Sequence, residues 1–164
     1  MPESVIVNTS PIFYLNRLGL LELLKELYET IIVPPGVIHE LKQGKKQGED
    51  VPDIQDYSWV QIKQVKVPEF LKLIADLGPG ESEVLTLALE IPDSLMVLDE
   101  RLARRIAELR GLKFTGTAGV ILKAKQKGYI TSVSSILDNL VNLGFRISKN
   151  LRNDILRLAG EFNE

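Results

Sequence analysis

The sequence contains no cysteine and a single histidine, His39, in 164 residues. Without thiols there is neither a disulfide nor a thiolate metal site, and the chain suits a reducing, cytoplasmic compartment. One imidazole cannot build a histidine-rich zinc site. An ion held by this protein would therefore sit on oxygen ligands, which favours Mg²⁺ or Mn²⁺. Excess basic charge is also missing. Twenty Lys and Arg stand against 22 Asp and Glu, for a formal net charge of −2. Bulk charge thus does not make the chain a general polyanion binder, although a basic rim around an acidic site remains open. No apolar run approaches the roughly 18–20 residues that span a bilayer. Met1-Pro2-Glu3-Ser4 lacks the basic stretch and cleavage pattern of a secretory leader.

What is present is an ordinary globular mixture, 45% hydrophobic and 26% charged. The length suits one domain over residues 1–164 that buries a core without staples. Strand and helix patterns alternate, which predicts a three-layer α/β/α sandwich with a mostly parallel central sheet. Strands are expected over residues 5–7, 31–33, 59–67 (at an edge), 95–98 (central) and 113–115. A helical period runs from Pro11 to Tyr28 through Ile12, Leu15, Leu18, Leu21, Leu24 and Leu27, with Gly19 placed to split it. Further helices are expected over 37–42, 69–77, 81–90, 101–110 (ended by Gly111) and 118–127. Residues 44–52 read as a mobile connection. Two amphipathic helices, over 133–143 and 149–158, close the chain.

Acidic residues recur where these elements meet. Glu40 lies in the first turns of the helix after the second strand. Glu81 and Glu83 open the helix after Gly78-Pro79-Gly80, and Asp99 and Glu100 follow the strand Leu95-Met96-Val97-Leu98. In a parallel sheet such junctions share one edge, so residues far apart in sequence converge there. Each acid has a plainer explanation alone: first-turn acids favour the helix dipole, and Asp99 would cap a helix starting at Arg101. Their coincidence is what points to a site. Glu81 and Glu83 lie about 200° apart around a helix, so both cannot face it. Val84, Leu85, Leu87, Ala88 and Ile91 define the buried face; Glu81 falls on its edge, leaving Glu83 in reserve. The first strand ends in Asn8-Thr9-Ser10-Pro11, an amide where a metal enzyme would place a carboxylate.

Four segments carry a resemblance to a known family. They are Val5-Ile6-Val7-Asn8-Thr9-Ser10-Pro11-Ile12, Ile32-Val33-Pro34-Pro35-Gly36-Val37-Ile38-His39-Glu40-Leu41, Gly80-Glu81-Ser82-Glu83-Val84-Leu85-Thr86-Leu87-Ala88, and Val97-Leu98-Asp99-Glu100-Arg101-Leu102-Ala103-Arg104. In order and spacing they resemble the motifs of the PIN domain, the metal-dependent ribonuclease fold of VapBC-type toxins. The likeness is to a prokaryotic branch with Asn at the first acidic position. It continues through Phe114-Thr115-Gly116-Thr117-Ala118-Gly119-Val120-Ile121-Leu122 and covers residues 4–130, with the C-terminal helices outside it. The resemblance implies one or two Mg²⁺ or Mn²⁺ ions, water activated for phosphodiester hydrolysis, RNA as substrate, an antitoxin partner and a homodimer. Glu40, Glu81 and Asp99 would be ligands and catalytic residues, with Asn8 and Glu100 completing the set. Thr9 and Ser10 would orient the first ligand through their hydroxyls.

The departure is Asn8, where the pattern has Asp. An amide oxygen ligates Mg²⁺ but brings no charge and cannot act as a base. Among basic residues, Arg101, Arg104, Arg105 and Lys113 form either a phosphate path or a solvated face. Lys42, Lys45 and Lys46 are placed to touch an RNA backbone. His39 reads as a surface residue, since helix neighbours do not share a face with Glu40. Gly78-Pro79-Gly80 lacks the Lys-Ser/Thr of a phosphate loop, and Thr9-Ser10 has no histidine at a spacing that would activate a nucleophile. Three readings remain: an RNA-cleaving enzyme, a module that binds RNA or protein without cleavage, and an interaction subunit docking through residues 133–158.

Overall fold

Val5, Ile6 and Val7 are β-branched and apolar on both faces of their strand, the pattern of a strand covered from both sides. The computed structural model describes residues 4–163; Met1, Pro2 and Glu3, read above for a leader, lie outside the described residues. Strand β1 (Ser4–Val7) is the middle of a five-stranded sheet with β2 (Ile31–Val33), β3 (Val60–Ile62), β4 (Ser94–Val97) and β5 (Lys113–Thr115). The order is β3-β2-β1-β4-β5 and every pairing is parallel. Ile6 sits opposite Ile32 on one side and Met96 on the other. The chain builds outward from β1 through β2 to β3, then returns to its other side for β4. The topological switch point therefore lies between β1 and β4, where open α/β sheets place their sites.

The helices are α1 (Thr9–Arg17), α2 (Leu23–Tyr28), α3 (Pro35–Lys46), α4 (Glu69–Lys72), α5 (Pro79–Glu90), α6 (Arg101–Leu109), α7 (Thr117–Gln126), α8 (Val133–Asn142) and α9 (Lys149–Leu158). They complete the expected three-layer sandwich. Helix α5 packs on β1 and β4, α2 on β2, and α8 and α9 on α7. Val5, Ile6, Ile12, Leu24, Val84, Leu85 and Ile121 are among the core residues that join these layers. No helix among the described residues is long and apolar enough to cross a membrane.

Local chemistry explains both the agreements and the departures. Gly19 adopts φ +72° between α1 and α2, the left-handed conformation that ends a helix most easily at glycine. Strand β3 is an edge, as expected, but covers three residues instead of nine. Its one neighbour among the described residues, β2, ends at Val33 before Pro34, and the bond from Lys63 N–H to Val33 O is the last rung. Helix α3 begins with Pro35 at its first turn, where a missing N–H costs nothing. It runs on to Lys46, so residues 44–46 are helical and do not belong to a connection. Helix α4 stops at Lys72, short of the expected Leu77. The periodicity that suggested a longer helix fails at Leu73, which is 83% exposed.

Truncating Ile6, fully buried between two strands, leaves a cavity that the sheet cannot close. Ile6→Ala is expected to lower the unfolding free energy by about 3 kcal/mol. Ile62→Ala on the exposed edge is expected to cost less than about 1 kcal/mol. Denaturant titration of the two variants checks the contrast.

Candidate functional site

The site grows from the ends of β1 and β4. The backbone N–H of Asn8 donates to Val97 O at 3.0 Å, stitching the two strand ends together. Asn8 occupies the cap position of α1, yet its side chain makes no capping bond. At 1% exposure its amide must find a partner inside the protein, and Nδ2 donates to Glu100 Oε2 at 2.9 Å. The other half of the amide is left over: Asn8 Oδ1 is buried with no hydrogen-bond partner, and so is the hydroxyl of Thr9 beside it.

Asp99 does not cap α6, as the sequence suggested. Glu100 holds that cap position without a side-chain bond, and Asp99 reaches across to α7. Its Oδ1 accepts the Thr117 N–H at 2.8 Å, and its Oδ2 accepts the hydroxyls of Ser10 and Thr117, both at 2.7 Å. One carboxylate thus ties β4 to the N-termini of α1 and α7.

Glu40 enters from α3 and accepts the Gly80 N–H at 2.6 Å. Gly80 leaves room for these side chains. A Cβ at this position would collide with Glu40 Oε1 and stand 3.1 Å from Asn8 Oδ1. The two oxygens therefore converge over the bare backbone of α5. Glu81, one residue on, bends over Gly78, near enough to Glu40 and Glu100 for their charges to oppose one another. Glu83 leans instead over Gly36, on the α3 side. The structure brings together Asn8, Thr9, Glu40, Glu81 and Glu100, with Ser10 and Asp99 joined beside them, and leaves Glu83 at the margin.

Burial is the main force on the carboxyl groups. It pushes Glu100 above the ordinary carboxylate range, reinforced by the charges of Glu81 and Asp99 and opposed by the Asn8 amide. Glu40 is raised by burial too, reinforced by the charges of Glu100 and Glu83 and opposed by the Gly80 N–H, and Glu81 by burial and by Glu40. Glu83 is raised by burial, against the pull of the Gly36 backbone. Tyr14 is likewise raised by burial and then by the charges of Asp99 and Glu100, so its phenol stays protonated beside the acids. With Phe13 it lines a cleft of about 300 Å³ that opens onto Thr9, Ser10, Glu40 and Glu100.

The residues present fit a divalent cation in one particular way. Among the described residues, no three acidic or histidine side chains close around a single point. The unsatisfied amide oxygen of Asn8 is the extra donor, placed with Glu40 Oε1 over Gly80 and flanked by Glu81 and Glu100. These are hard oxygen donors, the set that Mg²⁺ and Mn²⁺ take.

The basic residues divide. Arg101, Arg104 and Arg105 stand beside Asp99. Lys113 does not join them: it pairs with Asp93 at 2.9 Å, at the opposite edge of the sheet. Lys45 is paired with Asp53 at 2.9 Å, while Lys42, Lys46 and His39 are exposed. Thr117, Tyr14 and Gly80 went unrecognised in the sequence. Thr117 has a signal in the sequence, since its hydroxyl opens the helix after β5 at the same edge.

A family model described as a PIN domain matches residues 4–161. The match takes in α8 and α9, which the sequence resemblance had left outside. No curated protein matches the chain.

Glu40, Glu81 and Glu100 keep their protons in the folded protein at a pH where the unfolded chain has released them. Stability without added metal should therefore fall as pH rises from the ordinary carboxylate range through the raised folded values. Denaturation in EDTA at roughly pH 5 and roughly pH 7.5 reads this slope. Glu100→Gln, whose amide oxygen still accepts from Asn8, is expected to flatten it and to be the more stable protein at the higher pH.

Proposed function

The chain belongs to the PIN-domain family, and from that premise we propose that it is an endoribonuclease dependent on Mg²⁺ or Mn²⁺, with activity restrained by Asn8. PIN domains generally use divalent ions and bind nucleic acid, and this fold is nuclease-like. The observation that carries the reading is the pair of oxygens over Gly80, Asn8 Oδ1 buried without a partner and Glu40 Oε1 beside it. Glu40 and the Asn8 amide oxygen would hold the ion, with Glu81 and Glu100 on its flanks. A divalent ion held there would make a nucleophilic water available near neutral pH and would offset charge developing on the phosphate. Glu81, which takes no hydrogen bond from another side chain among the described residues and stands near Glu40, is the group we assign to accept a proton from the attacking water. Asp99 has three donors on its two oxygens; in this reading it positions Ser10 and the start of α7 and does not need to touch the ion. Tyr14, protonated, keeps a hydroxyl donor in the cleft that the RNA would enter.

The same reading makes the chain a single functional unit over 1–164, acting in the cytoplasm as the toxin of a toxin–antitoxin pair, with an antitoxin partner and a homodimer. These rest on the family alone. One observation favours a second reading, a module that binds RNA without cutting it. The Asn8–Glu100 bond at 2.9 Å gives Glu100 a donor with no ion, where two carboxylates would demand one.

Incubating single-stranded RNA with Mn²⁺ separates the two. Slow cleavage that EDTA stops is expected of the wild type, and none of Glu40→Gln/Glu81→Gln. Asn8→Asp is expected to cleave at least about tenfold faster, about 1.4 kcal/mol of transition-state stabilisation. Cleavage that survives in the double variant would remove the site assignment. A silent wild type with an active Asn8→Asp would establish the binding module.

A further inference from the structure

A cavity of about 460 Å³ opens on the α6 side of Asp99, lined by Asp99, Arg101, Arg104, Arg105, Glu108 and Phe114. Helical spacing puts its cations together: residues 101, 104 and 105 are related by three and four positions and share a face. Ala103 and Ala107 take the opposite, buried side. None of the three arginines makes an ion pair among the described residues.

Arg104 is held in place before any ligand arrives. Its Nε donates to Leu98 O at 2.8 Å, and its guanidinium lies over the Phe114 ring at 5.1 Å. Its far end occupies the space that a side chain at Gly116 would need, since a Cβ there would collide with Nη2 and lie 2.8 Å from Asp99 Oδ1. A planar donor fixed on an aromatic ring has already lost the rotamer freedom that binding would otherwise cost. Two further guanidinium groups at the same mouth give a site for an oxyanion that accepts paired hydrogen bonds.

We infer that this pocket seats one nucleotide of a single-stranded RNA, its phosphodiester on Arg101 and Arg105 and its base against the Arg104–Phe114 stack. The inference rests on the proposed RNA substrate and adds where the strand is gripped. Asp99 is shared between this pocket and the acidic cluster, and Glu100 opens onto the aromatic cleft beyond. A strand held by the arginines therefore runs directly over the carboxylates. The flat guanidinium–aromatic stack suits a splayed base, which a duplex does not offer. An acidic peptide would meet the guanidinium groups but leave the stack unused.

The test is fluorescence anisotropy of a labelled single-stranded RNA in Ca²⁺ and in EDTA, across a series of salt concentrations. Arg104→Ala and Arg105→Ala are each expected to weaken binding about tenfold or more, and each lost phosphate contact to reduce the salt slope by about 0.7. Arg104→Lys should bind nearly as poorly as Arg104→Ala, because it keeps the charge and loses the fork and the stack. Gly116→Ala, with charge unchanged, should also weaken binding by displacing Arg104, while Lys113→Ala on the far edge should bind as the wild type does. Exposed Arg105 keeps the test decisive if Arg104 variants fold poorly.

Binding that is unaltered in the Arg101, Arg104 and Arg105 variants overturns the inference. So does displacement of the RNA by poly-glutamate of matched charge, or the absence of RNA binding by the wild type in both buffers. Arginine-dependent binding without cleavage supports the pocket and overturns the nuclease reading. Cleavage with arginine-independent binding does the reverse.

Discussion

Carboxylates gathered at one edge of a buried sheet repel each other, and the hydrogen bond from the Asn8 amide to Glu100 is what lets this edge assemble. An Asp at position 8 would set one carboxylate 2.9 Å from another at a part-buried contact, a like-charge pair that a proton or a cation relieves. The amide removes that requirement by giving Glu100 a donor. It has a second consequence, because an amide has two ends. With Nδ2 committed to Glu100, Oδ1 is turned toward Glu40 and left without a partner. The single amide therefore gives Glu100 a donor and leaves an oxygen without a partner, the one the proposed ion would take.

The remaining acids are stabilised by the backbone that the fold brings to them. Asp99 accepts from the first N–H of α7 and from hydroxyls at the starts of α1 and α7, and Glu40 accepts from the first turn of α5. Helix N-termini carry partial positive charge and favour anions. In a parallel sheet they arrive at the same edge as the strand ends, so the geometry that concentrates the acids also supplies their counterweight. Glu81 and Glu100 receive less of this support. Glu100 relies on the Asn8 amide instead, and burial opposes the ionisation of both.

The fold was legible because its signals are local. The apolar β-branched runs at 5–7 and 31–33, the break at Gly19 and the prolines before α3 each act within a few residues. The errors came where a neighbour decides: β3 could pair only as far as β2 runs before Pro34, and α4 ended where Leu73 found nothing to pack on. In the site, the choice of Glu81 over Glu83 followed from helical angle; Glu81 bends over Gly78 and Glu83 over Gly36. The partners of Asp99 were out of reach, because Ser10 and Thr117 are separated from it by 89 and 18 residues. Nothing local says that a strand-end acid will serve a distant helix and not its own. Gly80 and Gly116 were hidden for a related reason: their role is the space they leave for Glu40 and Arg104.

The central claim is that the Asn8 amide oxygen and Glu40 together hold a divalent cation that the acids alone do not enclose. Titration of Mn²⁺ followed by electron paramagnetic resonance tests it without reference to any RNA. The wild type should bind the ion at a site that Glu40→Gln removes, and Asn8→Asp should bind it about tenfold more tightly, the effect of about 1.4 kcal/mol. Wild-type affinity in Glu40→Gln, or weaker binding in Asn8→Asp, would contradict the account.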